Sequence, residues 1–358
     1  MSKKRSIQVI KFPLFNNKSF TRDGLIITHV EPEFVLAIAD KETGQAFGIG
    51  DRSEPGLGYM TREAKKKNLL TFSPPPPSSL WSLHYDSLEI YIWAFQEFNG
   101  IFYAGSGVNG KIFQYSGGSW TTAYTASDDN VRCFTLHDSE LWAGCGPAGK
   151  IYSFNGSSWT EEYDLPVSRT ALAMESYGGD LYVGTDALRI YKYNGSTWTQ
   201  DHTIASGDIT SLATYNGNLY AGWNGNTPYG GLEEYNGTSW STYWTPVSPS
   251  AEYGINALAV HDGNLYAGTD GYVLKFTGSS EEIIFTPGKA CFTLFSWNNT
   301  LYAGFNYTGS ANAEIWSYDG VDWTQESDFI DEETVWGFGV YQNALYAGTG
   351  DGGKIFVR

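Results

Sequence analysis

A four-residue phrase recurs seven times along the chain: Phe102-Tyr-Ala-Gly, Leu141-Trp-Ala-Gly, Leu181-Tyr-Val-Gly, Leu219-Tyr-Ala-Gly, Leu265-Tyr-Ala-Gly, Leu301-Tyr-Ala-Gly and Leu345-Tyr-Ala-Gly. The copies lie 36 to 46 residues apart. A period of that length is one supersecondary unit, which buries its apolar face only by stacking on copies of itself. The units hold short alternating apolar runs and Gly-rich turns, without the long helix-forming stretches that a helical solenoid of similar period needs. The spacing predicts an all-β fold, a seven-bladed β-propeller with four strands, a to d, in every blade.

Each unit divides in the same way. Strand a begins at Ile92, Val131, Ala171, Ile209, Ile255, Cys291 and Val335, ten residues before the phrase in every copy. Its third residue is small (Ala94, Cys133, Ala173, Ser211, Ala257, Thr293, Gly337), and its fourth is large and apolar (Phe95, Phe134, Met174, Leu212, Leu258, Leu294, Phe338). Neighbouring residues of a strand face opposite sides, so one sheet's bulk can fill the next sheet's recess. The seventh residue is aromatic or His: Phe98, His137, Tyr177, Tyr215, His261, Trp297, Tyr341. Tight turns such as Asn99-Gly100, Asn216-Gly217 and Asp262-Gly263 then lead into strand b, the phrase itself. Strand c starts near Ile112, Ile151, Ile190, Leu232, Val273, Ile315 and Ile355. Strand d opens on Trp120, Trp159, Trp198, Trp240 and Trp323, with Glu281 in their place in the fifth blade.

The seventh unit stops after strand c, and its fourth strand is found upstream. Trp81 precedes Ile92 by eleven residues, the spacing from Trp120 to Val131. Residues 79–86 are therefore expected to close the ring as strand d of the last blade, which removes an open sheet edge. Residues 1–75 do not repeat. Phe34–Asp40 and Ala46–Gly50 read as a hairpin, Ile7–Phe15 and Leu25–Val30 as further strands, and 61–70 as a short helix capped by Thr61. Pro74–Pro77 makes a stiff connector. Two domains are expected: a small β-rich docking module at 1–75 and the propeller at 76–358.

The charge is uneven. The chain holds 22 basic and 39 acidic residues, net −17; 12 and 8 of these fall in 1–75, leaving 10 and 31, net −21, in 76–358. So acidic a body repels phosphates, which argues against nucleic acid and anionic membranes as partners. No apolar run approaches the ~18 residues of a membrane helix. The basic start leads into no apolar core or cleavage site, so no signal peptide is expected. Lys3, Lys4, Arg5, Lys65, Lys66 and Lys67 make the small module suited to docking on an acidic protein of an assembly.

Variation in length is confined to two connections. From strand b to strand c the blades take 10, 10, 9, 13, 8, 14 and 10 residues, and the d-to-a links vary as well. Both lie on one face of a radial blade, and binding residues commonly sit on variable loops over a rigid scaffold. The insertions carry Trp223, Tyr229, Trp244, Tyr253, Phe305, Tyr307, Asp331, Glu332 and Glu333. Aromatics beside carboxylates suit a protein or surface-glycan partner.

No cofactor, metal or catalytic set is expected. His137 and His261 occupy the repeated aromatic slot, and His29, His84 and His202 show no metal-ligand spacing. Cys133 and Cys291 read as small buried residues of strand a, and Cys145 as a loop residue. Asp128-Asp129-Asn130 and Asp351-Gly352-Gly353 follow no calcium-loop pattern and read as turns. The Asn-Gly-Ser sequences match glycosylation acceptors, yet recur because Asn-Gly makes the turn. A glycan-active hydrolase would need two placed carboxylates, and no pair stands out.

Ser317-Tyr-Asp-Gly-Val-Asp-Trp323 resembles the Asp-box of sialidases but is one residue short. The arginine triad of that family has few counterparts, the propeller holding only Arg132, Arg169, Arg189 and Arg358. Over residues 76–358 the Leu-Tyr-Ala-Gly and Asn-Gly-Ser-Ser-Trp repeats resemble bacterial and phage propellers. An anchor, a proline link and a rigid head are similar to proteins mounted on phage tails or capsids. The resemblance implies a non-enzymatic virion component, with host recognition through the propeller. The alternatives are a lectin-like or scaffold propeller of a bacterial cell, cytoplasmic for want of a signal peptide, and a glycan-active hydrolase.

Overall fold

The computed structural model describes residues 81–358 except 167–168, 226–229, 247–253, 307–311 and 331, together with four strands of the first 50 residues. The chain divides into two compact units, Met1–Pro75 and Pro76–Arg358. In the first, β1 (Ser19–Arg22), β2 (Leu25–Val30), β3 (Val35–Asp40) and β4 (Ala46–Ile49) form one antiparallel sheet in chain order. Residues 7–15 and 61–70, read above as a strand and a helix, lie outside the described residues.

The second unit is a seven-bladed propeller, seven four-stranded antiparallel sheets whose first strands neighbour one another in a closed ring. Strand a of the successive blades is β6 (Ile92–Phe98), β10 (Asn130–His137), β14 (Ala171–Tyr177), β18 (Asp208–Tyr215), β22 (Ile255–His261), β26 (Cys291–Trp297) and β30 (Val335–Tyr341). The last blade runs β30, β31 (Ala344–Thr349), β32 (Lys354–Val357), β5 (Ser82–Asp86). Val357 pairs with Ser82 and Lys354 with Asp86, so the upstream segment closes the ring as its spacing predicted. Trp81 stands just before β5, 4% exposed, against Phe329 and Phe338.

The repeated phrase fills the space between blades. Its first residue, from Phe102 to Leu345, is fully buried in all seven copies. Burying each such side chain contributes about 1.5–3 kcal/mol. Its glycine is where the next blade's strand a comes closest. A Cβ on Gly348 would lie 2.6 Å from Ile92 Cγ2, across the seam between last and first blades, and one on Gly222 would lie as close to Ile255. The seventh residue of strand a reaches over to the following blade. Tyr177, Tyr215 and Tyr341 donate their hydroxyls to the carbonyls of Gly217, Gly263 and Gly100, while His137 and His261 bond Ser176 and Ser296 through Nδ1. The aromatic-or-His slot is thus an inter-blade clasp.

The tryptophans that open strand d stack on strand c of the same blade, as in Phe154–Trp159 and Tyr235–Trp240. Glu281, which replaces tryptophan in the fifth blade, accepts the Trp244 indole N–H from the fourth.

Candidate functional site: the axial cavity

All seven strands a carry a β-bulge at one place. The register with strand b slips between the first and third residues, from Ile92/Ala94 round to Val335/Gly337. A bulge leaves one residue out of the ladder and re-aims its side chain. The residue left out is Trp93, Arg132, Leu172, Thr210, Asn256, Phe292 or Trp336, and these seven line one cavity of about 460 Å³. Asn130, Thr170, Asp186, Asp208 and Asn224 complete its wall. They stand at the d-to-a and b-to-c ends of their strands, so the cavity belongs to the face where loop length varies.

The wall is divided by chemistry. Blades six, seven and one contribute an aromatic arc. Trp336 lies between Phe292 (4.6 Å between ring centres) and Trp93 (4.4 Å), and Tyr91 stacks on the outer side of Trp93. Each indole nitrogen sits over a glycine, and a Cβ on Gly107 or Gly350 would meet it at 2.6 Å. The Arg132 guanidinium carbon lies over Trp93, 3.6 Å from the ring centre. Such cation–π stacking strengthens where water is excluded. Burial brings the Arg132 pKa down to about 10, at which the group is still a cation at neutral pH.

Blades three to five contribute a polar arc. Asp186 accepts the Thr170 backbone N–H. Asp208 has its pKa pushed up to about 6, by burial first and by the nearby Asp186 charge second. Asn224 donates to Asn256, which donates to Asp270. Burial raises the Asp270 pKa, and its amide hydrogen bonds oppose that. Thr210 donates its single hydroxyl proton to the Ile255 carbonyl at 2.6 Å, with the Gly222 carbonyl 3.1 Å away. The amides and this hydroxyl each hold a partner within the protein. Among the described residues the Arg132 guanidinium and the Asp208 carboxylate have no hydrogen-bond or ion-pair partner.

The loop residues expected to bind fare differently. Trp223, Trp244 and Phe305 are buried in the clusters between blades, and Glu332 is 1% exposed. Glu332 accepts from Lys354 Nζ at 2.6 Å and from the Thr349 hydroxyl. These four are corrections: they are structural members of the wheel. Strand b runs one residue beyond its glycine, and that residue faces inward in every blade, whether it is Ser106, Thr185, Trp223 or Phe305. Glu333 is exposed. Tyr229, Tyr253, Tyr307, Asp331 and the basic docking residues Lys3, Lys4, Arg5, Lys65, Lys66 and Lys67 lie outside the described residues. Cys145 is also a correction, being buried within β11 (Glu140–Gly146) and not in a loop. Burial pushes the Cys133 thiol up to about 12 and raises Cys145 and Cys291 as well. The Asp128 carboxylate is spent on the backbone N–H groups of Ala148, Gly149 and Lys150, which is turn chemistry.

The one sequence signal for the cavity was the second position of strand a. Its neighbours keep one character through seven copies, whereas it runs through tryptophan, arginine, leucine, threonine, asparagine and phenylalanine.

Fold and cavity together define a seven-bladed propeller with an axial recess. No protein-family model matches the chain, and no curated protein matches it. Among solved structures, it is similar to the extracellular domain of BT4673 from B. thetaiotaomicron, assigned to a hybrid two-component system (17% identity, TM-score 0.62, covering 78% of this chain and 39% of that one). It is also similar to YCF48 bound to D1 peptide (15%, 0.57, 80% and 97%) and to the computationally designed protein Ika8 (15%, 0.52, 79% and 98%). The chain spans about two fifths of the BT4673 domain. At these identities the likeness is one of fold.

Proposed function

We propose that this protein is a non-catalytic binding propeller whose recognition site is the axial cavity. The observation that carries the reading is the sevenfold bulge, which aims the variable second position of each strand a into a single recess. The wall it builds, aromatic on one side and polar on the other, is the usual make-up of a ligand pocket. The slot histidines and the three cysteines are taken up by packing, which favours recognition over chemistry. Similar folds occur in the extracellular domain of a two-component system and in a peptide-bound protein, in keeping with a binding role. A glycan array and a small-molecule thermal-shift screen, run on the wild type and on Trp93→Ala/Trp336→Ala, test it. Hits should vanish in the variant. Hits that persist place recognition elsewhere, and turnover of a polysaccharide that is lost on carboxylate substitution makes the protein a hydrolase.

The head mounted on a phage tail or capsid is the finer form of this proposal. Its support is the division of the chain at the proline connector into two compact units. Electron microscopy of particles from the native source, with the propeller labelled by antibody, decides it: label on the particles supports the mounting, and bare particles refute it.

A further inference from the structure

Building on the reading of the axial cavity as a recognition site, we propose that its ligand is a small zwitterion: an α-amino acid, free or as its close analogue, with an aromatic side chain. The groups left uncommitted in the wall select it. The Arg132 guanidinium carbon lies over Trp93, and its N–H groups have no partner among the described residues. A planar fork of donors is matched by a carboxylate in bidentate fashion. In the same wall, Asp208 and the second oxygen of Asp186 accept from nothing among the described residues, and the Asp186 charge is near enough to favour the Arg132 cation. Two neighbouring carboxylates in a half-buried recess are best relieved by a cation that brings only donors, and an ammonium does so.

The charges also exclude the alternatives. A simple amine would add a second cation to the wall and leave the N–H groups of Arg132 unmatched. A simple acid would face Asp186 and Asp208 inside a propeller of net charge −21. A neutral sugar brings no charge to meet Arg132 or the Asp186–Asp208 pair. The remaining third of the wall, Phe292, Trp336 and Trp93, offers ring faces and edges to an aromatic side chain.

Isothermal titration of the full chain with L-tryptophan, tryptamine, indole-3-propionate and methyl α-D-glucoside tests this. L-tryptophan should bind, and loss of either ligand charge should weaken binding about tenfold or more. Arg132→Gln should weaken L-tryptophan by about the same factor and bind tryptamine as well or better; Asp208→Asn should weaken L-tryptophan and bind indole-3-propionate as well or better. Arg132→Lys, which keeps the charge without the fork, should fall between, and circular dichroism should show every variant folded. The zwitterion is overturned if both analogues bind as well as the amino acid, if Arg132→Gln weakens all probes equally, or if no indole probe binds at ~1 mM. Glucoside binding that is lost in Trp93→Ala/Trp336→Ala also overturns it, while leaving the cavity as the recognition site. Ligands unaffected by that double variant overturn both.

Discussion

Closure of the wheel depends on a segment about 270 residues upstream of its strand partners, and Trp81 is the residue through which that dependence can be measured. The side chain is 4% exposed and rests edge-on against Phe329 at 6.5 Å and against Phe338 at 6.2 Å. Trp81→Ala removes the largest apolar group that β5 brings to the last blade. Truncations of buried aromatics cost about 3–5 kcal/mol, because the surroundings fill the void only in part. In a domain of this size, that is a fall in melting temperature of roughly 6–20 °C. Leu83, two residues along, is 55% exposed, and Leu83→Ala should stay within about 0.5 kcal/mol. Thermal unfolding of both variants, followed by circular dichroism and by calorimetry to check that the probes coincide, makes the comparison. If Trp81→Ala melts within a degree or so of Leu83→Ala, the last blade is not held shut by the upstream strand.

Three further outcomes are expected. Gly348→Ala should cost about 1–3 kcal/mol by overpacking the seam against Ile92, whereas Gly217→Ala, at a turn with φ +82° and open space around it, should cost only about 1 kcal/mol of backbone strain; urea titration compares them. Tyr341→Phe should lose about 0.5–1.5 kcal/mol with its bond to the Gly100 carbonyl, read by the same titration. Asp208 has its folded pKa raised to about 6 from the ordinary value of 3.8, so the folded state holds its proton more tightly. Its contribution to stability is therefore present below pH 3.8 and lost as pH rises through 6. Asp208→Asn should flatten that decline in melting temperature between pH 4 and 7, and an unchanged pH profile would show that the carboxyl titrates normally.

Most of the wheel was legible because its determinants repeat. The buried Leu-Tyr-Ala-Gly phrase, the small-then-large pair in strand a and the Trp-to-strand-a spacing each recur, and recurrence separates a packing constraint from chance. Trp81 could be placed in the last blade by that spacing alone. The candidate site was less legible, because alternation predicts a face only while the ladder is regular. The bulge at the second residue of strand a breaks the alternation, so Arg132 and Trp336 turn toward the axis, and only comparison of the seven copies marks their position. The opposite error arose at Trp223 and Phe305: aromatics at the edge of an insertion suggest a recognition surface, but one more residue of strand b carries them inside.

The same geometry explains how one scaffold can hold a selective site. The first and third residues of strand a pack against the neighbouring blade, and the glycine of strand b leaves little room for change there. The bulged residue between them escapes the ladder and turns toward the axis, where it meets the bulged residues of neighbouring blades instead of the packed seam. Seven such positions converge on one axis. A chain indifferent to what they hold would scatter aromatic, charged and polar residues around the ring. Here Phe292, Trp336 and Trp93 come from three consecutive blades, Arg132 follows on the fourth, and Leu172, Thr210 and Asn256 take the next three, with Asp186, Asp208 and Asn224 beside them at the strand ends. Sorting of that kind orients a bound molecule, apolar side toward blades six to one and charged side toward blades two to four. A circular exchange of the second-position residues, each moved one blade onward, should then keep the fold and destroy the site. The melting temperature would change little, while any ligand held by the wild-type cavity would be lost; retention of that ligand would mean that it binds elsewhere.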